Sequence, residues 1–175
     1  IVVAPGDYGR FSVFQKSDIE INANMTNGGV NLTSDLDATA ITIEESEDIT
    51  LSGFNISANV KPGILIEGSS RVNISFTEIH VDFQNTVAIL PYESDNVSIF
   101  LSRITSTAVN ATALWSRFSS DVMLGWSWVE LEGADSSVFV GNQVENNVLF
   151  YMEPTHTELL IDLNGGTATT MDVDV

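Results

Sequence analysis

Ser70-Arg71-Val72-Asn73-Ile74 returns 25 residues later as Asp95-Asn96-Val97-Ser98-Ile99, and 25 later again as Ser120-Asp121-Val122-Met123-Leu124. Upstream the same phrase reads Glu47-Asp48-Ile49-Thr50-Leu51 and Ser17-Asp18-Ile19-Glu20-Ile21. Downstream it reads Ser136-Ser137-Val138-Phe139-Val140 and, more loosely, Thr157-Glu158-Leu159-Leu160-Ile161. Each copy has a polar lead followed by two apolar residues flanking one outward position, which is the two-residue period of a strand. The anchors Ile19, Ile49, Val72, Val97, Val122, Val138 and Leu159 stand 30, 23, 25, 25, 16 and 21 residues apart. Self-similarity at such a period marks a repeat architecture.

A second apolar alternation precedes the phrase, as Ala40-Ile41-Thr42-Ile43, Gly63-Ile64-Leu65-Ile66 and Ala88-Ile89-Leu90, and a third apolar mark follows at Ile56, Ile79, Ile104 and Val129. No window sustains the i, i+3, i+4, i+7 pattern of an amphipathic helix. Coils of three short strands cannot bury an apolar face alone and must stack, each pairing in parallel with its neighbours. The expected fold is therefore all-β, a right-handed parallel β-helix of about seven coils in one domain over residues 1–175. Residues 1–39 form its opening coil and first rung, 40–163 its regular coils and 164–175 a C-terminal strand or tail. Ser, Asn, Thr and Gly fall at the bends, where polar side chains satisfy turn backbone groups. Alternation alone also fits an antiparallel sandwich.

The segment Gly63-Ile64-Leu65-Ile66-Glu67-Gly68-Ser69-Ser70-Arg71-Val72-Asn73-Ile74 resembles the short-repeat members of the pectate-lyase-like superfamily, whose coils read roughly Gly-Ile-x-Ile-x-x-Ser-x-x-Asn-x-Ile. Gly141-Asn142, Asn146-Asn147 and the opening Val2-Val3-Ala4-Pro5-Gly6-Asp7-Tyr8 fit the same pattern. The resemblance covers nearly the whole chain and specifies fold better than function. It implies enzymes that cleave polysaccharides, by elimination with calcium and a basic Arg or Lys, or by hydrolysis between aspartates. The hydrolase signatures Asn-Thr-Asp, Asp-Asp, Gly-His-Gly and Arg-Ile-Lys are missing, however. His80 falls at an outward strand position and His156 in a bend, while Arg71, Arg103 and Arg117 define no common basic row. No catalytic residues are expected, and the chain reads as a non-enzyme.

The chain carries 24 Asp and Glu against 6 Lys and Arg, a net charge of -18 that repels nucleic acid and anionic lipid. Such an excess suits high salt, divalent-cation binding or solubility outside a cell. No cofactor is expected apart from calcium, whose weak candidate ligands are Asp35, Asp37, Glu44, Glu45, Glu47 and Asp48. Without the regular spacing of a calcium loop, these read equally as solvated bends. No apolar run reaches the length of a transmembrane helix, so no membrane span is expected. The start at Ile1-Val2-Val3, without a basic region leading an apolar stretch, reads as a mature or excised segment.

Trp115, Trp126, Trp128 and Tyr151 cluster late in the chain as carbohydrate-contact candidates. Trp126 and Trp128 are two apart, either stacked in the core beside Val122 and Leu124 or exposed as a sugar platform. Six glycosylation sequons occur, at Asn24, Asn31, Asn55, Asn73, Asn96 and Asn110, which implies surface glycans and an extracellular or cell-surface location. Both ends read as unpaired strand, through Ile1, Val2 and Val3 and through Met171, Val173 and Val175. The expected function is a structural or adhesive surface protein that self-associates through its ends or edges into a filament, sheath or coat. The alternative is a carbohydrate-binding module or degenerate polysaccharide lyase or hydrolase of the same fold.

Overall fold

The computed structural model describes residues 1–24, 29–150, 153–155 and 161–171, with side chains described as far as Leu149. Tyr151, His156, Leu159, Val173 and Val175 lie outside the described residues, and Met171 enters only as backbone.

Short strands wind into a solenoid of about six turns, and among the described residues every strand pairing is parallel, which excludes the antiparallel sandwich. Among the described residues there is no helix. Each coil has three faces. The coil from 87 to 106 shows them in order: Val87–Tyr92 on the first face, Asp95–Phe100 on the second and Arg103–Ser106 on the third. The first and second faces are joined where one long strand, Ser137–Phe150, pairs with Thr112–Arg117 through its first half and with Ser120–Gly125 through its second.

The repeated phrase is the second face. Ile19, Ile49, Val72, Val97 and Val122 are in register from coil to coil. The pairs Ile41–Ile43, Ile64–Ile66 and Ile89 line the first face from inside, and Ile56, Ile79, Ile104 and Val129 line the third; all are buried. Each such aliphatic side chain contributes about 1.5–3 kcal/mol on burial, so the core is a set of continuous columns along the axis.

One anchor is corrected. Val138 belongs to the first face beside Phe139, which pairs with Leu114. The coil that follows Val122 places Glu145 beside Ser120 and Val148 beside Met123, so the interval is 25 residues, not 16. The inward position is filled by Asn147, which is fully buried, accepts the Val122 amide at 3.1 Å and donates to Ser116 Oγ at 3.1 Å. An apolar-pattern reading passes over it because a polar residue stands at a core position with its hydrogen bonds made internally.

The bends are built as expected and add a feature of their own. Ser46, Ser69, Ser94 and Ser119 stack on one line between the first and second faces. The Ser46 amide donates to Ser69 Oγ (3.0 Å), Ser69 to Ser94 (3.2 Å) and Ser94 to Ser119 (3.1 Å). Each hydroxyl in turn donates to the carbonyl two residues before it, at 2.8–2.9 Å. Thr77, Ser102 and Ser127 repeat the device at the next bend. Serine suits this place because one small side chain supplies both an acceptor and a donor where the ladder is interrupted.

Candidate functional site

The third face and the bend ahead of it gather the outward groups most suited to a ligand. Coils lie about 4.8 Å apart, so residues 25 apart in sequence become neighbours. One outward row runs Asn31, Asn55, Glu78, Arg103, Trp128, and a parallel one runs Thr33, Ser57, His80, Thr105, Glu130. Arg103 reaches both ways, to Glu78 Oε1 at 3.2 Å and to Glu130 Oε2 at 3.5 Å. His80 holds Thr105 Oγ1 at 2.8 Å through Nδ1 and Asp82 Oδ1 at 3.0 Å through Nε2. Asn55 donates to Asn31 Oδ1 (3.1 Å), and Asn31 to Asp7 Oδ1 (2.7 Å). Two shallow depressions run along this face and meet at His80 and Thr105, one lined by Asn31, Asn55, Ser57 and Glu78, the other by Arg103, Glu130 and Glu132.

The edge of this face is aromatic. Trp126 sits at the bend with φ 45°, a position held by Leu101 (φ 50°) and Phe76 (φ 50°) in earlier coils. Its ring is 54% exposed and tilts against Phe100 with centroids 5.7 Å apart. Trp128, 40% exposed, begins the third-face strand in register with Arg103. Both rings are therefore outside the core, because Leu124 and Val129 already fill the inward positions on either side. Between them Ser127 is buried in the bend ladder.

The remaining candidates are dispersed. Trp115 lies on the first face, where its ring packs beneath the guanidinium of Arg117 at 5.2 Å. Arg71 is on the second face, held by Glu47 and by Asp48 (Nε to Oδ1, 2.6 Å). Arg71, Arg103 and Arg117 thus occupy three different faces. That pairing holds the Asp48 carboxyl below its ordinary range. Asp35 is also shifted down, because it accepts the amides of Asp37 and Ala38. Glu44 and Glu45 stand across the bend from Glu47 and Asp48, with Glu45 taking a hydrogen bond from Gln15 at 2.6 Å. Among the described residues no three carboxylate or imidazole groups converge as a metal requires.

Of the sequons, Asn73 and Asn96 are exposed on the second face, and Asn110 is exposed in a bend where it donates to Asn85 at 3.1 Å. Asn31 and Asn55 are half-buried in the third-face ladder, and Asn24 is half-buried beside the first coil. At the opening end Val2–Val3 pairs, among the described residues, with Asn22–Ala23 alone, and Ile1, Val3, Phe11, Ile21, Val30 and Leu32 line an apolar hollow. Glu78, Thr105 and Glu130 have no motif to mark them; their signal in the sequence is the 25-residue spacing itself, which applied to outward positions gives 78, 103, 128 and 80, 105, 130.

Chemically, the face offers carboxylates, amides, hydroxyls and an imidazole in axial rows, with aromatic rings along one edge. Arg103 is already shared between two carboxylates. No protein-family model matches the sequence, and no curated protein matches it. Among solved structures, one similar chain is assigned by inference as a glycosyl hydrolase from Parabacteroides merdae, with 9% identity, 89% of this chain and 82% of that chain covered and a TM-score of 0.40. Another is the alginate lyase from a Paenibacillus species, with 11% identity, 99% of this chain and 91% of that chain covered and a TM-score of 0.43. At these values neither similarity bears on what this chain binds or does.

Proposed function

We propose that this chain is a non-catalytic, extracellular β-solenoid that holds a glycan chain along its third face, and that it belongs with the pectate-lyase-like β-helices. The observation that carries this reading is the pair of exposed rings, Trp126 and Trp128, beside the axial rows of hydrogen-bonding groups. Indole faces take the C–H faces of sugar rings, and the carboxylates and amides take their hydroxyls. Coils about 4.8 Å apart repeat these groups along the axis, so a linear polymer laid along the face meets them in succession. The non-catalytic reading rests on Arg103, which already has two carboxylate partners, and on His80, which is held between Asp82 and Thr105.

Affinity electrophoresis in gels cast with a panel of neutral and acidic polysaccharides tests it. At least one polysaccharide retards the wild type, and Trp126→Ala/Trp128→Ala removes the retardation while circular dichroism stays unchanged. New reducing ends or unsaturated uronates released by the wild type would replace the binding reading with an enzymatic one. The apolar hollow at the opening end supports assembly as a second reading, since either a second copy or preceding coils would cover it.

A further inference from the structure

The first face carries a different kind of surface. Its outward row starts at Ser12 and Thr42 and then runs Leu65, Leu90, Trp115, Val140, so four successive coils form an apolar stripe where the third face is polar. The neighbouring row runs Glu44, Glu67, Tyr92, Arg117, Asn142. The Arg117 guanidinium lies 5.2, 5.5 and 5.8 Å from the rings of Trp115, Tyr92 and Phe118, and among the described residues it has no carboxylate partner. Trp115 Nε1 and Arg117 Nε are already covered by this chain's own atoms, so the guanidinium is held flat against the rings as part of one packed cluster. Trp, Tyr and Arg packed together on an apolar face are the side chains that dominate protein interfaces.

The charges on the face identify the partner. Measured from the coil of Leu90 and Tyr92, Glu67 lies one coil to one side and Arg117 one coil to the other, in the same row. A two-fold axis in the plane of the face, along the strand Val87–Tyr92, exchanges those two coils without shifting the row. Glu67 of one copy then faces Arg117 of the other, twice over. The same operation sets Trp115 against Leu65, the exposed Phe118 ring over Gly68, and Leu90 against its own copy. A surface that is complementary to itself in this way is what an isologous contact requires. We infer that the first face joins two copies of this chain, face to face with their axes antiparallel.

Such a dimer leaves both third faces open to a glycan and does not depend on one. Two opposing features keep it weak. Each copy carries the -18 charge, and the exposed Glu93, one residue past Tyr92, meets its own copy at the axis. Salt screens the net-charge repulsion beyond a Debye length of about 8 Å at 0.15 M, while the Glu93 pair at the axis lies inside that range.

Sedimentation equilibrium of the full chain at 0.15 M salt, over a wide concentration range, tests the inference. The wild type fits a monomer–dimer equilibrium. Arg117→Glu, which sets like charges together twice per dimer, weakens it by about tenfold or more, and so does Glu67→Arg. The exchanged pair Glu67→Arg/Arg117→Glu returns to within about threefold of wild type, since each charge again meets its opposite. A wild type that stays monomeric, a dimer indifferent to Arg117→Glu, or an exchanged pair no better than the single variants overturns the inference. Because the chain has no cysteine, Leu90→Cys adds a unique thiol at the axis, and a short bismaleimide cross-links it to a dimer. The same reagent leaves Ser98→Cys, on the second face, monomeric; equal yields from both positions also overturn the inference.

Discussion

Replacing Ser94 by alanine removes one atom from the middle of the bend ladder, and the structure says what that atom does. Ser94 is 2% exposed; its Oγ accepts the buried Ser69 amide at 3.2 Å and shares its proton between two carbonyls, Tyr92 at 2.9 Å and Ile66 at 3.1 Å. In the alanine variant the Tyr92 carbonyl keeps the Gly68 amide at 3.1 Å, so its loss is small. The Ser69 amide has no other acceptor in reach of water. A buried donor left unpaired costs about 1–3 kcal/mol. For a chain of this length that is a fall in Tm of roughly 2–4 °C per kcal/mol, about 5 °C in all. Differential scanning calorimetry measures it, with Ser98→Ala as the control, a half-exposed outward serine on the second face whose loss stays within about 0.5 kcal/mol. Equal Tm values for the two variants would refute the reasoning, because the ladder would then add nothing that water does not.

Other consequences follow from the same geometry. Asn147→Val restores the apolar pattern of the second face yet destabilises by about 2 kcal/mol, because the Val122 amide loses its acceptor; thermal denaturation checks the sign. Gly133→Ala puts a Cβ into the Ala108 carbonyl one coil away, so it costs about 3 kcal/mol or prevents folding, read from soluble yield and Tm. Asp35 and Asp48 both titrate below the ordinary value of 3.8 in the folded chain. The unfolded chain therefore takes up their protons first, and the stability they contribute is present above that value and lost as pH falls below it. Asp35→Asn/Asp48→Asn shows a shallower decline of Tm over that acid range.

The parts of this fold that were legible in the sequence are those where side-chain period and burial coincide. The phrase around Val72, Val97 and Val122 is apolar at each inward position, and the 25-residue return of the anchors is the coil length seen in the register. Val138 offers the nearest apolar alternation after Val122, but the true anchor is Asn147, which is buried and polar and so carries no apolar signal. The third-face rows were harder to see because outward residues face no packing demand. Glu78, Arg103 and Trp128 share no residue type, and only the register shows them to be neighbours. Whether Trp126 and Trp128 faced in or out depended on the bend at Gly125, whose αL successor carries Trp126 out of the strand alternation.

Tryptophan fluorescence addresses the glycan-binding claim most directly. The three tryptophans of the chain occupy the first face, the bend and the third face, so single replacements separate them. On titration with an oligosaccharide of a polysaccharide that retards the protein, the account predicts a saturable change that persists in Trp115→Phe, disappears in Trp126→Phe/Trp128→Phe, and tightens as the oligosaccharide lengthens across successive coils. A change that follows Trp115, or one indifferent to oligosaccharide length, would contradict it.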